Sequence, residues 1–214
     1  MKVLFLTDVH TSEAALRWVK KKGGGYDAIV VGGDLARSSK ESQGFVGRFL
    51  EAALSTGRQV LYVQGNADSP DTPLPAGTVS LHGKTTMLGR YKVGGLGGSN
   101  PTPFNTPFEL KDDEAGRILA ALGHVDILVS HCPPQGTKCD KAPAGHVGSA
   151  PVRRYVEQEK PILVLSGHAH EARAVDNLGG TTVVNPGPLG EGRFAEVHLG
   201  GVVSIELKAD ALEA

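Results

Sequence analysis

Five short segments of the chain carry side chains able to hold metal ions. They are Thr7-Asp8-Val9-His10, Gly32-Gly33-Asp34, Gly65-Asn66-Ala67-Asp68, Ser130-His131 and Gly167-His168-Ala169-His170. Asp8, His10, Asp34, Asn66, His131, His168 and His170 together offer two carboxylates, one amide oxygen and four imidazoles, with no thiolate. Such a mixed nitrogen and oxygen shell suits Mn, Fe, Co, Ni or Zn better than calcium or magnesium, which prefer oxygen alone. Seven ligands are too many for one such ion and suit two divalent ions that share a carboxylate. Asp8 and His10 stand two residues apart and can chelate one ion; His168 and His170 have the same spacing and can serve one ion each. A single Gly-Asp or Gly-Asn pair is more often a plain turn. The metal reading rests on all five segments together.

Two divalent ions bring four positive charges. The carboxylates of Asp8 and Asp34 and a bridging hydroxide cancel three, and the remainder attracts a phosphate ester. Water held between such ions ionises near pH 7, and ions ~3.5–4 Å apart hold both the hydroxide and the phosphoryl oxygens for in-line displacement. The chemistry expected is hydrolysis of a small phosphodiester or phosphomonoester, the diester favoured.

These side chains need elements to position them. Each segment follows a short apolar run, at 3–6, 28–31, 60–63, 127–129 and 162–165, rich in Val, Ile and Leu and ended by turn residues. Such runs read as buried strands. Helical stretches are expected between them: from a Thr11 or Ser12 cap to about Lys22, from about Glu41 to Leu54, from Asp112 and Asp113 to about Leu122, and after Ser149 with Pro151 in the first turn. This alternation predicts an α/β fold with a mostly parallel central sheet, whose strands present ligands at their carboxyl ends. Beyond Ala172, short alternating strands at 181–184, 194–199 and 202–207 predict antiparallel pairing. The Gly- and Pro-rich stretch 94–107 reads as a loop between two halves of one domain, residues 1–214.

Composition bounds the partners. The 214 residues are 40% hydrophobic and 21% charged, with a net charge of −1. No global positive field draws nucleic acid or anionic membrane, so nucleic acid is disfavoured and phosphate recognition must be local. No apolar run approaches the ~20 residues of a membrane span, and 3–6 is too short for a signal-peptide core. No membrane partner and a cytoplasmic location are therefore expected, with a homo-oligomer left open. Cys132 and Cys139 form neither a disulfide framework nor a zinc pattern and read as reduced thiols.

The same residues resemble a known family. Asp8-x-His10, Gly33-Asp34, Gly65-Asn66-x-Asp68, the strand-end His131 and Gly167-His168-x-His170 are similar, in order and separation, to the five-part signature of calcineurin-like metallophosphoesterases. The segments His131-Cys132-Pro133-Pro134-x-Gly136-Thr137, His146-Val147-Gly148-Ser149 and Asn185-Pro186-Gly187 resemble the small Icc-related branch. The resemblance implies a four-layer α/β/β/α sandwich with two sheets face to face. It implies Asp8, His10, Asp34 and His170 around one ion, manganese favoured, and Asp34, Asn66, His131 and His168 around the other. On this reading Asp34, Asn66, Asp68 and His131 form the catalytic set, with Asp68 orienting a ligand. Many members carry a proton-donating histidine after the asparagine, where this chain has Ala67. His146 is the candidate replacement, as an acid or a substrate contact. Ala67 also keeps open a reading of another class, a non-catalytic protein-interaction scaffold on the same fold.

Overall fold

The computed structural model describes residues 1–143 and 145–213. In chain order the strands are β1 Lys2–Leu6, β2 Ala28–Val31, β3 Gln59–Tyr62, β4 Thr78–Ser80, β5 Thr85–Leu88, β6 Tyr91–Leu96, β7 Ile127–Ser130, β8 Lys141–Ala142, β9 Gly145–His146, β10 Leu163–Leu165, β11 Ala174–Leu178, β12 Thr181–Asn185, β13 Arg193–His198 and β14 Ser204–Ala209. The helices are α1 Glu13–Lys22, α2 Gly44–Leu54, α3 Asp112–Leu122 and α4 Ala150–Glu159. Two six-stranded sheets form, ordered β14-β13-β1-β2-β3-β4 and β11-β12-β10-β7-β6-β5, while β8 and β9 pair as a hairpin.

Side-chain alternation along the strands sorts the core into layers. On β1, Val3 and Phe5 pack with Val30, Leu61, Val129 and Leu165 in a cluster between the sheets. Leu4 and Leu6 face the other way, against Trp18, Val19, Phe45 and Phe49 of α1 and α2. On the second sheet, Leu128 and Val164 turn outward to Leu119 of α3 and Val152 and Tyr155 of α4. The result is the four-layer α/β/β/α sandwich.

The strand pattern alone predicts one central, mostly parallel sheet, which is corrected here to the two facing sheets that the family resemblance implies. The second was hidden because β6 carries Gly94 and Gly95, which read as part of a loop. These glycines serve close packing: a Cβ on Gly95 would lie 2.5 Å from Leu81 Cβ and 2.7 Å from Val63 Cγ1. Two parallel blocks result, β1-β2-β3-β4 and β6-β7-β10-β12, with antiparallel strands at the sheets' remaining edges. The helix caps hold as expected: Ser12 Oγ accepts from Ala15 N at 3.2 Å and Ser149 Oγ from Val152 N at 3.4 Å. Helix α2 starts later than expected, after a separate 3-10 turn at Lys40–Ser42. There Ser42 Oγ donates to the carbonyls of Arg37 and Ser39, both at 2.6 Å, which competes with helical pairing.

The edge of the first sheet is tied by Glu196. Its carboxylate lies 3.0 Å from Lys2 Nζ and 2.9 Å from Lys208 Nζ, and accepts from Tyr26 Oη at 2.7 Å. Burial alone would raise its pKa, but the hydrogen bonds from Lys208, Tyr26 and Lys2 pull it down to about 2. A depressed pKa contributes stability that is present above the unfolded value near 4.5 and is lost as pH falls through about 2. We expect Glu196→Gln to cost about 1 kcal/mol at pH 7. Urea unfolding of both proteins at pH 7 and pH 3 would check this: the gap should narrow at the lower pH, and a constant gap would refute the assignment.

Candidate metal centre

The parallel strands of each sheet end on the same side, and the loops leaving those ends meet. Among the contacts that join the sheets there, two involve the cluster directly. His131 Nδ1 donates to Gly32 O across 2.7 Å, and the backbone N–H of His168 lies 3.1 Å from Asp8 Oδ2. The backbone turns sharply to do this. Asp8 (φ 54°), His10 (φ 47°), Asp34 (φ 51°) and His168 (φ 68°) all adopt the left-handed conformation. For a residue with a side chain this costs about 1–2 kcal/mol, and such outliers cluster at functional sites. The turns are held by hydrogen bonds from Asp8 N to Gly33 O at 2.9 Å and from His10 N to Asp34 O at 3.0 Å.

The seven side chains form two adjoining groups. In the first, Asp8 Oδ1 lies 3.3 Å from His170 Nε2 and 3.9 Å from His10 Nε2, and the two imidazole nitrogens approach to 3.1 Å. In the second, Asn66 Oδ1 lies 3.0 Å from His131 Nε2 and 2.8 Å from His168 Nδ1. Asp34 stands between them, its Oδ2 3.8 Å from His10 Nε2 and its Oδ1 3.5 Å from His131 Nε2. Asp8, Asp34 and His131 also come within chelating reach of one another, so the two groups form one continuous cluster.

The chemistry of these donors fits cations. Because His131 Nδ1 faces a carbonyl it carries the proton, and in the neutral ring Nε2 presents a lone pair to Asn66 Oδ1 and Asp34 Oδ1. A cation would satisfy these converging acceptors, as would a ring proton on His131 Nε2 or His168 Nδ1. The titration shifts point the same way. Burial alone would lower the pKa of His131, but Asp34, Asp8 and the Gly32 carbonyl lift it to about 9. Burial would raise Asp8, yet its hydrogen bond to His170 and the charges of His131, His170 and His10 hold it well below the usual carboxylate range. Asp34 likewise would be raised by burial but is held down, chiefly by His131. Burial and then His131 press His168 down to about 4, which leaves its nitrogen lone pair free to ligate.

Asp68 sits behind the cluster, completely buried. Its Oδ1 accepts from Ala36 N at 2.8 Å, and its Oδ2 accepts from Gly65 N at 2.9 Å and Tyr62 Oη at 2.8 Å. It orients the loops that carry Asp34 and Asn66 through their backbone. Burial and then Asp34 raise its pKa. Ala67 is buried, and its N–H donates to Asp34 Oδ1 at 2.7 Å. His146 stands apart from the seven: its Nδ1 lies 2.7 Å from Oδ1 of the fully buried Asp140, with the ring partly in solvent. The two cysteines are buried, and burial pushes each thiol up to about 12.

Asn185, of the Asn185-Pro186-Gly187 segment, is structural to the site. Fully buried, its Nδ2 donates to Ala169 O at 2.8 Å, Cys139 O at 3.1 Å and Gly167 O at 3.3 Å. It thus pins the loop bearing His168 and His170. The Asn-Pro-Gly triplet was the signal, but its partners lie 16 to 46 residues away. Asp140 was missed in the same way.

The profile of the calcineurin-like phosphoesterase superfamily domain matches residues 1–210. An uncharacterised protein of Methanocaldococcus jannaschii is 33% identical over 199 residues, covering 88% of each chain. A crystal structure of the Thermus thermophilus protein TT1561 superimposes with a TM-score of 0.71 at 21% identity, covering 96% of this chain and 98% of that one. A dimetal phosphatase from Danio rerio gives 0.66 at 11% identity, covering 98% and 96%.

The close approach of Gly65 to Asp34 gives a direct test. A Cβ on Gly65 would collide with Asp34 Oδ1 and the Asp34 amide. We expect Gly65→Ala to weaken Mn²⁺ binding at least tenfold. Gly44→Ala, where a Cβ meets nothing within 4 Å, should leave it unchanged. Calorimetric titration of both variants would decide, and unaltered affinity in Gly65→Ala would contradict the packing argument.

Proposed function

This chain belongs to the calcineurin-like phosphoesterase superfamily, and from that premise we propose that it is a dinuclear metal-dependent hydrolase of a small phosphodiester, with phosphomonoesters as secondary substrates. The observation that carries the proposal is the shared position of Asp34, one carboxylate oxygen toward His10 and the other toward His131. On this reading Asp8, His10, Asp34 and His170 hold one ion and Asp34, Asn66, His131 and His168 the other, with manganese favoured. When bound, such a pair supplies Lewis acidity and an activated water for in-line displacement at phosphorus. The protein's part is preorganisation. Gly32 O fixes the His131 tautomer, Asp68 and the Ala67 amide fix the loops and carboxylate around Asp34, and Asn185 fixes the loop of His168 and His170. No described helix is long and apolar enough to cross a membrane, and we assign the protein to the cytoplasm.

Position 67 offers a leaving group no proton, because alanine has none to give and its backbone N–H is already committed to Asp34. We assign His146, oriented by Asp140, to the substrate side as that donor. A His–carboxylate pair with the second ring nitrogen toward solvent is the arrangement a general acid uses.

Two assays test these assignments. Metal-stripped protein should regain cleavage of bis-p-nitrophenyl phosphate with Mn²⁺ and less cleavage of p-nitrophenyl phosphate, and Asp34→Asn and His131→Ala should abolish both. Failure with every divalent metal would favour the interaction scaffold, for which Ala67 is the supporting feature. For His146→Ala, kcat should fall about 100-fold on alkyl phosphodiesters, whose leaving groups need a proton, and much less on nitrophenyl esters. Equal losses on both would remove His146 from the acid role.

A further inference from the structure

Among the described residues, the loop after β6 is hydrogen-bonded to one ligand of the cluster, Asn66. Asn66 Nδ2 lies 3.1 Å from Thr106 Oγ1, and Phe108 N donates to Asn66 O at 3.0 Å. Thr106 Oγ1 in turn lies 2.6 Å from Glu109 Oε1, which also accepts from Thr106 N at 2.9 Å and from Thr102 Oγ1 at 2.6 Å. Ser99 and Glu109 form a β-bridge that closes the loop.

The direction of each bond follows from its partners. A carboxylate only accepts, so the Thr106 hydroxyl must give its proton to Glu109. What it then shows Asn66 is a lone pair. Of the two ends of the Asn66 amide, only the NH₂ group can pair with a lone pair. The amide oxygen is therefore turned to the opposite side, toward His131 Nε2 and His168 Nδ1. Burial would raise the pKa of Glu109, but the hydroxyls of Thr102 and Thr106 and their N–H groups draw it down to about 2, so this polarity holds at every pH of interest.

An amide left to itself can rotate by half a turn and present its NH₂ group to a cation, which repels it. We infer that Thr106, oriented by Glu109, is a positioning residue that locks the Asn66 amide with oxygen toward the second metal position and thereby sets the affinity of that position. The inference rests on the dinuclear reading above for its metal consequence, and on hydrogen-bond chemistry alone for the orientation of the amide.

Valine matches threonine in shape and removes the hydroxyl. Mn²⁺ titration of the full chain by calorimetry, with wild type, Thr106→Val and Thr106→Ser, gives the first readout. Thr106→Val should weaken one of two binding steps 10–100-fold and leave the other within about twofold, and Thr106→Ser should restore both. Unchanged affinities in Thr106→Val, or an equal loss at both steps, would overturn the inference. The second readout is metal-independent: the Asn66 side-chain NH₂ resonances of the metal-free protein. These should exchange slowly with water in wild type and Thr106→Ser and fast in Thr106→Val. If wild type binds fewer than two ions, the dinuclear reading fails, while the NH₂ exchange still decides whether Thr106 holds Asn66. Identical exchange in all three proteins would sink the positioning role by itself.

Discussion

Two sheets packed face to face leave their carboxyl edges about a sheet spacing apart, roughly 10 Å, and a side chain of ordinary length does not span that gap with both ends fixed. The chain closes it by bending the backbone back on itself immediately after the strands. Asp8, His10, Asp34 and His168 take left-handed conformations to do so. The contacts that result, His131 to Gly32 O and His168 N to Asp8, are at once the seam between the sheets and the frame of the cluster. Everything else in the site depends on that seam. It puts a buried imidazole from one sheet within 3.5 Å of a buried carboxylate from the other.

The strain and the charge are balanced locally. Asp34 has a left-handed backbone, a buried carboxylate and two packed glycines, Gly33 and Gly65, that admit nothing larger. Its own Oδ1 accepts from Ala67 N. Behind it Asp68 gathers the N–H groups of Ala36 and Gly65 and so ties the loops after β2 and β3 together. Carboxylates this close repel: Asp8 raises the proton affinity of Asp34, and Asp34 raises that of Asp68. The imidazoles of the second sheet offset that repulsion. This is why the two sheets are coupled electrostatically as well as by the apolar layer of Phe5, Val30, Val129 and Leu165 between them.

Much of this was legible in the sequence, for a physical reason. Strand ends must turn within a residue or two, so ligands delivered there lie beside apolar runs, and adjacency in sequence survives as adjacency in space. All seven side chains of the cluster follow that pattern. The second sheet was less legible because Gly94 and Gly95 break the strand pattern of β6, and Gly95 does so to admit Leu81 and Val63. Asn185, Asp140, Thr106 and Glu109 were not legible as parts of the site at all. Each acts through hydrogen bonds to backbone or to a distant side chain, and nothing in the spacing of their neighbours distinguishes them from ordinary turn residues. His146 was singled out by its motif, but its carboxylate partner six residues earlier appeared only with the fold.

The loops divide the work unevenly. Those of the first sheet, carrying Asp8, His10, Asp34, Asn66 and Asp68, are braced from behind by Asp68 and tied to one another by backbone hydrogen bonds. The long connections of the second sheet hold the more exposed side chains: the half-exposed His146, and the exposed Phe104 in the loop that also carries Thr106 and Glu109. Position 67 illustrates the split. Its backbone serves Asp34 and its side chain is a buried methyl group, so it has nothing to offer a ligand. The cluster itself draws on both sheets, with Asp8, His10, Asp34 and Asn66 following strands of the first and His131, His168 and His170 following strands of the second.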